Sequence, residues 1–411
     1  VTGDSISLGE LLDMAEDAAP TESIDVIARH LQDQLGAVWV SFLFADLLGQ
    51  ELVQLTSARD VAGGRGTRHI RLPGSAYDGV LRTQQLTVEP DRERHGLRVL
   101  TPVTNRGDQI GVLEVIVPRA DQSILQQIRE AAHALAYLIV TDRRFTEVYQ
   151  QGRRTTAMSL AAEIQWQLLP SASCCEAAQF TIAAALVPAD RIAGDTYDFT
   201  LDQDALHLSI TDIEGHDVRS ALQACLLVGA LRGARRAGND IAEQARAANR
   251  ALLEHGGDAI ATGQLMTISL REENFKLVNA GHPWPLRLRD GRVDEISLDI
   301  DFVFGGDPTT TYRIQELDLR PGDRLILFTD GIYERGAGVL NLPALIEQTG
   351  HLHPRETVRA LTEAVKQACQ GQLQDDATVI CLDWHGSQIT SRHTSEGADT
   401  GDASRASPDS S

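Results

Sequence analysis

Basic charge, long apolar runs and paired cysteines are what this 411-residue sequence has little of. Lysine and arginine together number 37 against 58 aspartates and glutamates, a formal charge of -21. That balance opposes attachment to nucleic acid or to an anionic membrane and favours a protein or small-molecule partner. No apolar stretch approaches the ~20 residues needed to span a bilayer. The start Val1-Thr2-Gly3-Asp4 has neither a basic stretch nor an apolar core, so no secretory leader is expected, while a first residue other than Met leaves an upstream segment open. The five cysteines, Cys174, Cys175, Cys225, Cys369 and Cys381, have no Cys-x-x-Cys spacing, and their odd number argues against a closed disulfide framework. A reducing cytoplasm is the expected compartment.

What is present is an apolar fraction of 42%, enough for packed cores, in a chain too long for one ordinary domain. Residues 8–12 and 24–35 carry apolar side chains at helical spacing. The run 38–44 is rich in β-branched and aromatic residues and reads as a strand, followed by strand-like runs at 51–55, 68–72, 97–103 and 109–117. Pro102 cannot donate to a ladder, which places it at an edge or a bulge. From Ser123, Ile124, Ile128, Ala131, Leu135, Leu138 and Ile139 predict a helix that Phe145, Val148, Met158, Ala161, Ile164 and Leu168 would prolong to Pro170. Such a helix suits a dimer seam or a signalling linker. Beyond it, short strands at 180–187, 205–210, 265–270, 275–279, 285–288, 313–317, 324–328 and 378–382 are interrupted by helical runs at 218–237, 241–255 and 354–370. Strands that mostly follow one another, with helices grouped between, predict an α+β fold rather than repeated βαβ units. The end, 386–411, is rich in Ser, Thr, Asp and Gly and is expected to be disordered.

The chemistry concentrates in acidic turns at strand ends. Asp195, Asp198 and Asp212 border short apolar segments, and two more acidic turns, Asp330-Gly331 and Asp375-Asp376, border strand-like runs. Gathering such carboxylates is costly unless a cation sits between them. If the loops converge, the result is an all-oxygen site for a hard cation such as Mg2+ or Mn2+. Asp195 and Asp212 read as the central ligands, with the backbone carbonyl of Ile213 as a further one. Asp198 and Asp376 read as supports behind them. Asp323, in Pro321-Gly322-Asp323, reads as a turn residue, His282 as fixing a turn, and Asp217 as a cap for the helix starting at Val218. His216, at a loop-to-helix junction, is open to two readings, a general acid or a structural hydrogen bond, and is not counted in the catalytic set; Glu334 reads as a support for the Asp330 loop.

Six ordered motifs carry a family resemblance: Gly194-Asp195-x-Tyr197-Asp198, Asp212-x-x-Gly215-His216, Asn279-Ala280-Gly281-His282-Pro283, Pro321-Gly322-Asp323, Thr329-Asp330-Gly331-x-x-Glu334 and Asp375-Asp376-x-Thr378. Together they resemble the stage II sporulation protein E-type serine/threonine phosphatases of the metal-dependent PPM superfamily. The resemblance implies an α-β-β-α sandwich over residues 171–385 and a site of two Mn2+ or Mg2+ ions completed by Asp330 and Asp375, so that Asp195, Asp212, Asp330 and Asp375 are the catalytic set. It also implies a phosphorylated protein substrate of the anti-sigma-factor antagonist class. The chain departs from the usual pattern at Ala193, Thr211 and Asp217, where glycine is common, and at Val303-Phe304-Gly305. None of these removes a presumed ligand.

The hairpin formed by 97–103, the turn 105–108 and 110–117 resembles the closing strands of GAF sensor domains, a pattern that PAS domains share. This implies a GAF-like sensor over residues 1–141, with an unidentified ligand, and a helical linker over 142–170. No cysteine precedes Cys174, so covalent bilin attachment is not supported, and His30, His69 and His95 read as ordinary residues rather than haem ligands. A homodimer is compatible with the linker. Two other classes fit acidic loops alone: a catalytically silent binding module, and another two-metal phosphoester hydrolase, whose nuclease version is opposed by the negative charge.

Overall fold

The computed structural model describes residues 8–46, 49–55, 68–151, 159–189, 194–215, 217–333, 340–370, 373 and 375–390. They fall into two compact units, divided between residues 157 and 158.

The first unit is built on an antiparallel sheet in the order β3-β2-β1-β6-β5-β4. Its strands are β1 (Trp39–Ala45), β2 (Glu51–Leu55), β3 (Arg68–Arg71), β4 (Thr87–Asp91), β5 (Gly96–Asn105) and β6 (Asp108–Val117). Alternation along β1 sends Phe42 and Phe44 to one face, where they pack with Leu11, Ile27, Leu31, Ile128 and Leu135 of the helices Leu8–Glu16, Ser23–Leu35 and Gln122–Asp142. Leu43 and Ala45 go to the other face, under Tyr77, Val80 and Leu81 of the helix Ala76–Thr83. Both faces are covered, which is why apolar residues stand at successive positions 42–45. Pro102 meets its expectation. β4 pairs with β5 only as far as Leu100, so at Pro102 the strand β5 has a partner on one side only, Val112 of β6, and a register shift follows between Val103 and Thr104.

The long helix ends sooner than its apolar spacing predicts. It stops at Asp142, whose carboxylate accepts from the Ser23 hydroxyl, and Phe145 stands 71% exposed instead of continuing the buried stripe. Tyr149, in the short helix Val148–Gln151, is buried and donates its hydroxyl to the Pro20 carbonyl at 2.7 Å. A new helix, Leu160–Leu168, starts where the Ser159 hydroxyl accepts from the Ala162 N–H, and it belongs to the second unit. One unbroken helix to Pro170 is therefore excluded by residues 143–147 alone.

The second unit stacks two antiparallel sheets. One runs β15-β12-β11-β10-β9, from β9 (Thr196–Leu201), β10 (Ala205–Ile213), β11 (Ala261–Ser269), β12 (Asn274–Ala280) and β15 (Gln315–Glu316). The other runs β14-β13-β16-β17-β8-β7, from β7 (Cys174–Glu176), β8 (Phe180–Val187), β13 (Leu286–Arg289), β14 (Arg292–Glu295), β16 (Arg324–Phe328) and β17 (Ala377–Trp384). Leu206, Leu208, Ile210, Met266 and Leu277 of the first meet Phe180, Ile182, Leu325, Leu327 and Ile380 of the second in one core. The opposite face of the first sheet, through Leu265, Val278 and Ala280, packs on Leu227 and Leu231 of the helix Val218–Arg236 and on Ala248 and Leu252 of Ile241–His255. The helices Leu342–Thr349 and Pro354–Ala368 cover the second sheet. This is the expected α-β-β-α sandwich. Residues 391–411, most of the stretch expected to be disordered, lie outside the described residues; before them, the Ser387 N–H donates to Glu273 Oε1 at 2.9 Å.

Candidate metal centre

One end of the two sheets gathers the acidic turns. Asp212 lies at the end of β10, paired with Thr262, and Asp195 immediately precedes β9. Asp330 follows β16, and Asp375-Asp376 precede β17. The β10 strand lies beside β9, and β16 beside β17, so residues distant in sequence arrive at one place.

Two glycines permit the close approach. A Cβ at Gly194 would stand 2.4 Å from the Ile213 carbonyl oxygen, and one at Gly331 only 2.0 Å from that of Asp376. Real side chains do not tolerate either spacing, so only glycine lets the Asp195 and Asp330 loops lie against the neighbouring backbone.

Asp195 is buried and forms the floor of the site, Asp212 and Asp375 are half-buried, and Asp330 is exposed at the rim. One oxygen of Asp195, Oδ2, accepts from the hydroxyls of Thr329 at 2.7 Å and Thr378 at 2.5 Å. Burial raises the Asp195 carboxyl well above the usual carboxylate range, as do the charges of Asp212 and Asp376, and the two threonine hydrogen bonds oppose the rise. Asp212 is pushed up to about 7, first by burial and then by Asp330, Asp375 and Asp376. The charges that weigh most on Asp212 are thus all carboxylates, which places it at the centre of the group.

Asp376 supports the loop from behind. Its Oδ1 accepts from the Ala189 N–H at 2.9 Å and its Oδ2 from Gln165 Nε2 at 2.6 Å, with further bonds from the backbone of Asp195 and Gly194. Gln165 Nε2 also donates to the Asp195 carbonyl at 2.8 Å. Fully buried on the helix Leu160–Leu168, Gln165 is a site residue that sequence reasoning missed. A neutral amide carries no charge signal in a sequence; only its place one helical turn after Ala161, which packs on Ala221, could have hinted at an inward face.

Other residues are placed away from the cluster. Asp198, expected as a support for a metal, is spent on Arg232 and Arg235, and Arg232 also donates to the Leu168 carbonyl at 2.6 Å. The arginines were too far along the chain to be read as its partners. Asp323 sits in its turn, but buried, and takes a two-pronged ion pair from Arg289 at 2.8 and 2.6 Å. His282 is buried in the turn that Asn279 closes on both sides, through its side-chain oxygen to the His282 N–H and its amide to the His282 carbonyl. Asp217 caps its helix, accepting from Arg219 and Ser220 N–H at 2.8 and 3.1 Å. Ala193, His216 and Glu334 lie outside the described residues.

A hard divalent cation fits this donor set. The donors are oxygens, and the mutual repulsion that lifts Asp212 is what a cation would relieve. Among the described residues no group of three or more histidine, cysteine, aspartate or glutamate side chains already stands in place to hold a metal ion. The Ile213 carbonyl lies against Gly194, beside Asp195. Beside the cluster, a cavity of about 300 Å3 is lined by Glu214, Gly215, Arg219, Gln223 and Asp258.

The family model of Stage II sporulation protein E (SpoIIE) matches residues 202–385. The chain is 25% identical over 268 residues to phosphoserine phosphatase RsbU of Bacillus subtilis, covering 61% of this chain and 79% of that protein. Among solved structures, the SiaA-PP2C domain of Pseudomonas aeruginosa is 22% identical with a TM-score of 0.47, covering 55% of this chain and 93% of that one. The PP2C phosphatase domain of SpoIIE from Bacillus subtilis, with a fragment of its regulatory domain, is 21% identical with a TM-score of 0.44, covering 51% of this chain and 65% of that one.

Proposed function

We propose, from the match of residues 202–385 to the stage II sporulation protein E family model, that this protein is a metal-dependent serine/threonine phosphatase acting on a phosphorylated protein in a partner-switching pathway. The observation that carries the reading is the carboxylate group centred on Asp212. We assign Asp195, Asp212, Asp330, Asp375 and the Ile213 carbonyl as ligands of two Mn2+ or Mg2+ ions. When bound, such ions supply an acidified water as nucleophile and shield the phosphoryl oxygens.

The chain's own residues do the rest. Asp195 and Asp212 hold their oxygens at the ends of rigid strands, the rim position of Asp330 leaves the centre open to a substrate from solvent, and the cavity beside Glu214 gives room for the residues flanking a phosphoserine. The substrate we infer is an anti-sigma-factor antagonist, and the compartment the cytoplasm; no helix among the described residues is long and apolar enough to cross a membrane. Residues 1–141 we read as a GAF-like sensor, 142–170 as a linker, 171–385 as the phosphatase and 386–411 as a tail, in a chain that pairs as a homodimer. Gln165 gives the linker a direct hold on the Asp195 and Asp376 loops, so movement of this helix would set metal occupancy.

The test is hydrolysis of an aryl phosphate and a phosphoserine peptide with Mn2+, Mg2+ or chelator. Metal-dependent turnover that falls at least a thousandfold in Asp212→Asn is expected. Turnover unchanged by chelator would overturn the reading, and a folded protein inert with every metal would leave the fold as a binding module.

A further inference from the structure

We propose that Thr329 and Thr378 are positioning residues: their hydroxyls together fix one oxygen of Asp195 and thereby present its other oxygen to the metal. The inference rests on Asp195 being a metal ligand. Both threonines are fully buried, and they face each other at the ends of β16 and β17, where the Thr329 N–H donates to the Thr378 carbonyl at 3.1 Å.

The direction of each hydrogen bond follows from the donors. The Thr378 N–H donates to Thr329 Oγ1 at 3.0 Å, so the one hydrogen of the Thr329 hydroxyl is left for Asp195 Oδ2, 2.7 Å away. A carboxylate has no hydrogen to return, so the Thr378 hydroxyl must donate as well, at 2.5 Å. A carboxylate oxygen has two lone pairs, and both are then used. Oδ2 is closed to a cation, which leaves Oδ1; the Asp195 and Asp212 side chains also share a hydrogen bond, which a bound cation would replace. With both hydroxyls held by strand-end backbone and stiff β-branched side chains, the Asp195 carboxylate cannot rotate without breaking two buried bonds.

The arrangement also joins the ligands to one another. Thr329 is the residue before Asp330, and Thr378 follows Asp375 by three positions, so the turns that carry two candidate ligands grip a third. A shift of either turn is transmitted to Asp195 through an oxygen rather than through the metal. Groups that orient a ligand in this way typically change metal affinity 10- to 100-fold when removed.

The experiment titrates the full-length, chelator-treated protein with Mn2+, following the unbound ion by electron paramagnetic resonance and the fold by circular dichroism. Thr329→Val and Thr378→Val keep the size and lose the donor, and each is expected to bind Mn2+ about tenfold or more weaker, with Thr→Ser at either position restoring affinity to within about threefold. Thr→Cys, a weak donor of similar size, is expected to follow valine and serves if the valine protein does not fold. Valine and cysteine variants that bind as tightly as the parent, while Asp195→Asn binds more weakly, would overturn the positioning role and leave the metal site standing. Unchanged binding in Asp195→Asn would remove the metal assignment itself, and this proposal with it.

Discussion

Gly331 controls how near Asp330 comes to the rest of the cluster, because the Asp376 carbonyl oxygen occupies the space a side chain would need. Gly331→Ala must push the two loops apart. Overpacking of this kind costs about 1–3 kcal/mol, and the displacement of Asp330 is expected to reduce metal-dependent turnover at least tenfold; urea unfolding and phosphopeptide hydrolysis measure the two effects. His282, read from the sequence as fixing a turn, shows what burial does to a titratable side chain. Its imidazole is lowered from 6.5 to about 3, chiefly by desolvation, so it is neutral in the folded protein. Between those values the unfolded chain binds a proton that the folded chain refuses. The His282 contribution is therefore complete above about pH 6.5 and is lost as pH falls toward 3, at up to about 1.4 kcal/mol per pH unit. Asp212, raised to about 7, pulls the other way, since its contribution falls as pH rises from about 4 to 7. Subtracting the stability profile of His282→Asn from that of the parent isolates the histidine, and the difference is expected to shrink steadily on acidification.

At the scale of elements, the helix Leu160–Leu168 is tied to the sandwich at two polar points. Its side chain Gln165 reaches two backbone and carboxylate acceptors, and its last carbonyl, of Leu168, is held by Arg232, which is itself paired with Asp198. Arg232→Met removes the second tie and leaves Asp198 with Arg235 alone. The pair is partly exposed, so the cost is set at about 1–2 kcal/mol. Faster hydrogen exchange in residues 160–168, without change in the strands, is the expected signature. This element also marks where sequence reading stopped. Apolar spacing located the helix but joined it to the one before, because spacing does not register the Ser159 cap or the exposed Phe145. Helix ends are set by orphan N–H groups finding acceptors, and those acceptors come from the fold.

For the whole molecule, two compact units with separate cores predict two unfolding transitions rather than one. Mn2+ at a hundred times its dissociation constant is expected to stabilise only the second unit, by about 2.7 kcal/mol. Calorimetry with metal and with chelator checks this: one transition should move and the other stay. A single metal-sensitive transition would mean that the units unfold together.

The sequence by itself determined the sandwich and the identity of the acidic turns. Alternation in strands, grouped helices and the order of Asp195, Asp212, Asp330 and Asp375 are local or ordinal properties, legible in one dimension. Tertiary structure decided which polar groups meet. That Asp198 goes to arginines on a helix, that Gln165 reaches back across the chain to Asp376, and that Thr329 and Thr378 share one oxygen of Asp195 are all pairings across 30 or more residues. The physical reason is that a buried polar group must find its partner wherever packing places one, and distance along the chain carries no record of that choice.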